Sequence, residues 1–98
     1  MKITSAKEGT KLTISLKGRL DTNTAPELEA AVNNDIAGVT ELIFDFDKLE
    51  YISSAGLRVL LTAQKIMNSQ GTMVIKNVCN DINDVFEITG FCDVLNVE

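Results

Sequence analysis

The sequence predicts a single α/β domain over residues 1–98, an N-terminal hairpin leading into a mixed β-sheet with helices packed mainly on one face. Three observations carry this. Leu12, Ile14 and Leu16 alternate with Lys11, Thr13, Ser15 and Lys17, which is the period of a strand with one buried face. From Thr24 onward, helical and strand spacings take turns, as in a layered α/β chain with right-handed crossovers. Finally, 98 residues with 45% hydrophobic content bury roughly 65% of the unfolded surface, enough for a core without disulfide or metal support.

Taken in order, Lys2–Glu8 and Lys11–Leu20 flank Gly9-Thr10 and read as the hairpin, although Gly9 alone does not fix the turn type. Gly18 ends the clean alternation, and Leu20-Asp21-Thr22-Asn23 leads as a loop into the first helix. Thr24 and Glu27 have the spacing of a capping box, and Pro26 is tolerated in a first turn, where its missing N–H needs no partner. Leu28, Ala31 and Val32 form the inward face of that helix, which weakens at Asn33-Asn34-Asp35.

Glu41–Phe46 reads as a buried strand, with Leu42, Phe44 and Phe46 on one face and Ile43 and Asp45 on the other. Asp45 and Asp47 share a face, but no third ligand or phosphate loop accompanies them, so they are assigned to a solvated strand edge rather than to acid/base or magnesium chemistry.

The period changes at Ser53-Ser54. One of the two serines can cap the following helix, accepting from the free N–H groups of its first turn. The other is either a plain turn residue, so that both serines serve only cap and turn, or a hydroxyl left at the positive end of the helix dipole, where a phosphate is stabilised. In that helix Gly56, Leu60, Ala63 and Met67 fall in one sector with Leu57 and Val59 on its flanks, and Arg58, Thr62, Lys65 and Ser69 lie opposite, as a wet face or a docking stripe. Gly71 is placed to stop it. Thr72–Lys76 follows as a strand; Asn80 or Asp81 caps a third helix carrying Ile82, Val85, Phe86 and Ile88 up to Gly90; Val94–Val97 reads as a last strand.

Composition narrows the function. A net charge of −5 without Lys/Arg clusters disfavours nucleic acid or an anionic membrane as main partner. No apolar run approaches the ~18 residues of a membrane span, and Met1–Ser5 lacks the opening of a signal peptide, so the chain is expected in the cytoplasm. Cys79 and Cys92 lack C-x-x-C spacing and are read as reduced, packing cysteines. The absence of histidine removes Ser-His-Asp and Cys-His sites and the His-containing zinc sets. No metal, cofactor or enzymatic activity is expected.

Tyr51-Ile52-Ser53-Ser54-Ala55-Gly56-Leu57 resembles the signature of the STAS domain in bacterial anti-sigma-factor antagonists: an aromatic, an aliphatic, Asp, Ser, Ser/Thr/Ala, Gly, Leu. Anchored on Gly56-Leu57, the resemblance implies phosphorylation at Ser54, with Ser53 the alternative because it stands where the family has Asp. Gly18-Arg19-Leu20-Asp21 resembles the family's Gly-x-Leu-Asp loop, and the order of elements agrees over nearly all the chain. The fold so implied is a β-α superhelix after the N-terminal hairpin, here ending without the C-terminal helix that many relatives add.

The function so implied is partner switching in transcription regulation. Unphosphorylated, such a domain binds an anti-sigma factor that is also a serine kinase with a histidine-kinase-type ATP site, and so frees a sigma factor. Phosphorylation ends the contact and a PP2C-like phosphatase restores it. The implied partner surface is Asp21, Thr22, Ser53, Ser54, Ala55, Gly56, Arg58, Thr62 and Lys65, on a monomer. Asp21 also has a plain reading, as a loop carboxylate bonded to nearby backbone. The rival function is a constitutive STAS subunit of a lipid-transport ABC complex, or another regulatory scaffold, using the same helix start as a fixed docking surface.

Overall fold

The computed structural model describes all residues, Met1–Glu98. The predicted hairpin forms from β1 (Lys2–Glu8) and β2 (Lys11–Leu20), paired antiparallel from Lys2↔Lys17 to Glu8↔Lys11. Gly9 takes φ +59° at the first of the two turn positions, the place where a II′ hairpin turn requires glycine. The chain then crosses through α1 (Ala25–Asp35) to β3 (Glu41–Ile52), and through α2 (Ser54–Gln70) to β4 (Thr72–Lys76). Both crossovers return parallel to the preceding strand, giving a four-stranded mixed sheet in the order β1-β2-β3-β4. The fold is thus a single α/β domain with a mixed sheet and three helices, the last being α3 (Asn80–Thr89).

The core lies between one sheet face and the helices. Leu12, Ile14, Leu16, Leu42, Phe44 and Phe46 supply the sheet side, and Leu28, Val32, Leu60, Met67, Ile82 and Phe86 the helix side. Burying each such side chain contributes about 1.5–3 kcal/mol, so this layer supplies the main favourable term. The face of α2 read from the sequence is the face that packs: Gly56, Leu57, Val59, Leu60, Ala63 and Met67 are buried, and Arg58, Thr62, Lys65 and Ser69 are exposed. Gln70 straps the α1–β3 connection, its amide donating to the carbonyls of Ile36 at 2.8 Å and Val39 at 2.6 Å.

Strand β3 is twice as long as the alternation Glu41–Phe46 predicted. Its pairing with β2 slips by one residue between Ser15 and Lys17 and again between Gly18 and Arg19. Each slip is a bulge, an extra β3 residue opposite one β2 residue. The buried positions therefore pass from a period of two to a period of three, through Phe46, Leu49 and Ile52. Asp45 and Asp47 accordingly lie on an interior strand and not at a sheet edge; Asp45 Oδ1 accepts from Asn77 Nδ2 and from the Asp47 N–H, both at 3.0 Å.

Other local expectations change as well. Thr24 is the residue before α1, but its hydroxyl turns back to donate to the Arg19 carbonyl at 2.8 Å, so no capping box forms. Cys79, in extended conformation, precedes α3 in place of Asn80 or Asp81, and its carbonyl accepts from Asn83. Ile88 is 86% exposed, beyond the buried stripe of Ile82 and Phe86. Both cysteines are free and exposed, not packed. Gly90 ends α3 at φ +78°, and Phe91–Asp93 winds into a short 3-10 turn. What remains of the predicted last strand is one parallel bridge, Val97 to Ile75, flanked by backbone bonds of Ile75 with Asn96 and Glu98.

Candidate functional site at the start of helix α2

The two bulges bring Leu20 level with Ile52 at the ends of β2 and β3. The Ser53 N–H can then donate to the Leu20 carbonyl at 2.8 Å, joining the last residue of β2 to the residue that starts α2. Ser53 is extended (φ −101°, ψ 174°), its hydroxyl accepts from the Gly56 N–H at 3.4 Å, and its carbonyl accepts from Leu57 at 3.0 Å. Ser53 is the cap, held on three sides and half-buried. Ser54 is the first helical residue and exposed. Its hydroxyl stands at the end of the helix where unpaired N–H groups and the dipole favour negative charge.

Gly56 does not reach the surface. A Cβ there would lie 2.7 Å from Leu20 Cγ and 3.0 Å from Ile52 Cγ1, so its contribution is the close approach of α2 to the two strand ends. The expected partner surface includes Gly56; the structure places it beneath that surface.

Asp21 organises the facing loop. Its Oδ1 accepts from the N–H groups of Asn23 at 3.0 Å and Thr24 at 3.1 Å, while its own N–H donates to Thr24 Oγ1 at 2.8 Å. The Asp21 carboxyl is held below its ordinary value of 3.8, first by the Thr24 N–H, then by the Asn23 N–H, the Thr24 hydroxyl and the Arg19 charge, against an opposing push from lost hydration. These bonds fall on Oδ1, so the plain loop reading of Asp21 is met at one oxygen and Oδ2 is left for another contact.

Between α1 and α2 runs a groove of about 330 Å³. Thr22, Ala55, Arg58 and Thr62, all in the partner surface expected from the sequence, line it together with Ala25, Pro26, Glu29 and Val59, which that surface did not include. Thr62 Oγ1 donates to the Arg58 carbonyl at 3.0 Å. Lys65 continues the exposed stripe beyond the groove. Arg19 and Tyr51, which stand in the two motifs but outside the expected partner surface, form a cation–π pair, with the guanidinium carbon 4.2 Å from the ring centroid and Tyr51 41% exposed. Only the bulged register makes these two neighbours, so sequence spacing carried no signal for them.

The pattern of the STAS domain matches residues 2–98. The chain belongs to the STAS domain family. It is 36% identical over 99 residues to BtrV of Bordetella bronchiseptica, whose assigned name is that of an anti-sigma factor antagonist, covering 99% of this chain and 85% of BtrV. It is 30% identical over 88 residues to the anti-sigma-B factor antagonist of Staphylococcus aureus, covering 86% of this chain and 80% of that one. Among solved structures it resembles SpoIIAA, an anti-sigma factor antagonist, in its unphosphorylated form (TM-score 0.78, 19% identity, 99% of this chain and 87% of that one). The Bacillus SpoIIAA structure in the phosphorylated form is equally similar (TM-score 0.77, 20% identity, 99% and 91%). At that identity the likeness is one of fold. No helix of this STAS domain is long and apolar enough to cross a membrane.

Proposed function

We propose that this STAS domain is an anti-sigma-factor antagonist that binds an anti-sigma factor through the start of α2 and the Asp21–Thr24 loop, and is switched off by phosphorylation of Ser54. The observation that carries this reading is the division of labour between adjacent serines: Ser53 is spent as cap and strap, whereas Ser54 is exposed beside a groove between two helices. The names of the relatives and the two forms of SpoIIAA support it.

In this reading the partner is also a serine kinase, a PP2C-like phosphatase reverses the modification, and the domain acts as a cytoplasmic monomer without catalysis of its own. Asp21, Thr22, Ala55, Arg58 and Thr62 form the contact, with Lys65 at its margin. Phosphate adds about 1.5–2 negative charges to a surface that must be desolvated on binding. A loss of about 2.7 kcal/mol weakens an affinity a hundredfold, so charge at the contact is enough and no refolding is required. Fold-level similarity to both forms of SpoIIAA agrees with a switch that leaves the backbone in place.

The test is affinity capture from the native cells with the wild-type chain, Ser54→Ala and Ser54→Asp. An ATP-binding kinase retained by Ser54→Ala and lost with Ser54→Asp is the expected result. A transporter ATPase captured equally by all three would instead make the helix start a fixed docking surface and overturn the switch.

A further inference from the structure

The open face of the sheet, away from the helices, carries an arrangement that the switch does not use. Lys2 on β1 is paired with Lys17 on β2, and Lys17 is paired with Lys48 on β3. Three ammonium side chains thus stand level across three adjacent strands in a protein of net charge −5. Like charges directly opposite on a sheet are destabilising, and the row depends on the first bulge, between Ser15 and Lys17 in the β2 register, which sets Lys48 level with Lys17. All three lysines are exposed. The one lysine nitrogen that donates a hydrogen bond in the structure is Lys7 Nζ, elsewhere on β1.

The row borders a cleft of about 250 Å³ that is also lined by Thr4, Ser15, Asp45 and Asp47. Asp45 Oδ1 accepts from Asn77 and from the Asp47 backbone, uncharged donors that orient the carboxylate and leave its charge in place, so with Asp47 it offsets part of the row and the three lysines keep a positive excess in the cleft. Three ammonium groups with two hydroxyls one step along the same strands supply donors for a tetrahedral oxyanion. The exposed Asp47 carboxylate at the rim accepts from hydroxyl or ammonium groups and repels further anionic charge. The volume lies below the roughly 300–1,000 Å³ of pockets for drug-sized ligands, which points to a small occupant.

We propose that this cleft binds a small phosphomonoester, with its phosphate on Lys2, Lys17 and Lys48 and its hydroxyl-bearing body against Asp47. The site is on the opposite side of the sheet from the helices and is independent of phosphorylation at Ser54.

The experiment is an amide NMR titration of the whole chain with inorganic phosphate, glycerol 3-phosphate and glycerol at constant ionic strength. The expected result is saturable shifts at Lys2, Thr4, Ser15, Lys17 and Lys48, tighter for glycerol 3-phosphate than for phosphate and absent with glycerol. Lys17→Gln and Lys48→Gln should each weaken binding about tenfold, the size of one lost charge-assisted hydrogen bond, while Lys11→Gln on the same face should not. Lys17→Gln should also raise the melting temperature without ligand, by relieving the like-charge row. Shifts that never saturate, that centre on the first turn of α2, or that ignore Lys17→Gln and Lys48→Gln overturn the proposal. So does binding to phosphatidylglycerol vesicles without binding to glycerol 3-phosphate.

Discussion

The backbone N–H of Ser53 donates to the carbonyl of Leu20 at 2.8 Å, so the end of β2 and the start of α2 form one joint. The same joint is packed from inside by Gly56, which leaves room for Leu20 and Ile52. Two bulges in β3 make it possible, because without them Leu20 and Ile52 would be two residues out of register. The Ser54 hydroxyl is therefore presented on a bonded and closely packed corner, next to the loop that Asp21 closes.

The adjacent serines should separate cleanly in stability measurements. Ser53→Ala removes a cap and should cost about 0.5–1 kcal/mol, toward the lower part of the usual range because the cap bond is long at 3.4 Å. Ser54→Ala should lie within about 0.5 kcal/mol of wild type. Ser54→Asp should gain about 0.3–1 kcal/mol from the helix dipole. Urea unfolding midpoints at pH 7 check all three, and a stable Ser54→Asp means that any lost binding is not lost folding.

Glycine replacements should run against helix propensity. Gly56→Ala adds a good helix former, normally worth about 1 kcal/mol, yet its Cβ meets Leu20 at 2.7 and 2.9 Å in a filled core. Overpacking of this kind costs about 1–3 kcal/mol, so the net change should be a loss. Gly71→Ala should be worse, because there the Cβ would lie 1.9 Å from the Thr40 carbonyl oxygen, which is backbone and cannot rotate away. Thermal denaturation of the two variants gives the ranking.

Much of this arrangement is legible in the sequence, and the failures have physical causes. Alternation located β2, and spacing at 100° per residue located the buried face of α2, because single-period burial leaves a direct trace in residue type. The second half of β3 is not legible as a strand because bulges replace the period of two with steps of three, at Phe46, Leu49 and Ile52. The serine pair reads as a cap with either a plain turn residue or a free hydroxyl beside it, and which serine is the cap depends on the extended backbone of Ser53. Thr24 has the spacing of a box cap, but its hydroxyl has a competing acceptor five residues back, the Arg19 carbonyl. Groove residues Pro26, Glu29 and Val59 come from two helices whose approach no local pattern reports.

Acid should act on the Asp21 loop late. Its carboxyl is held below 3.8 in the folded chain, whereas the unfolded chain has the ordinary value. A depressed folded value means that the stabilisation is complete above the unfolded value and is lost as pH falls through the folded one. Carbon-detected NMR should place the Asp21 midpoint below 3.8. Thr24→Val should move it back only part of the way, because the largest cause, the Thr24 N–H, is backbone and survives the substitution.

Both thiols should react in the native state. Cys79 and Cys92 are exposed and unbonded, so iodoacetamide should modify two sites without denaturant, and the labelled chain should keep its unfolding midpoint to within about 0.5 kcal/mol. Protection of either thiol, checked by intact mass, would put it back in the packed interior.

The central claim rests on one hydroxyl, and site-resolved phosphopeptide mapping of the protein from its own cells tests it most directly. Trypsin cleavage after Lys48 and Arg58 releases a peptide holding both serines, and fragment ions distinguish them. Phosphate on Ser54, removed by phosphatase treatment and absent from Ser53, is the predicted result. A peptide that is never phosphorylated, or that carries its phosphate on the cap Ser53, would contradict the account.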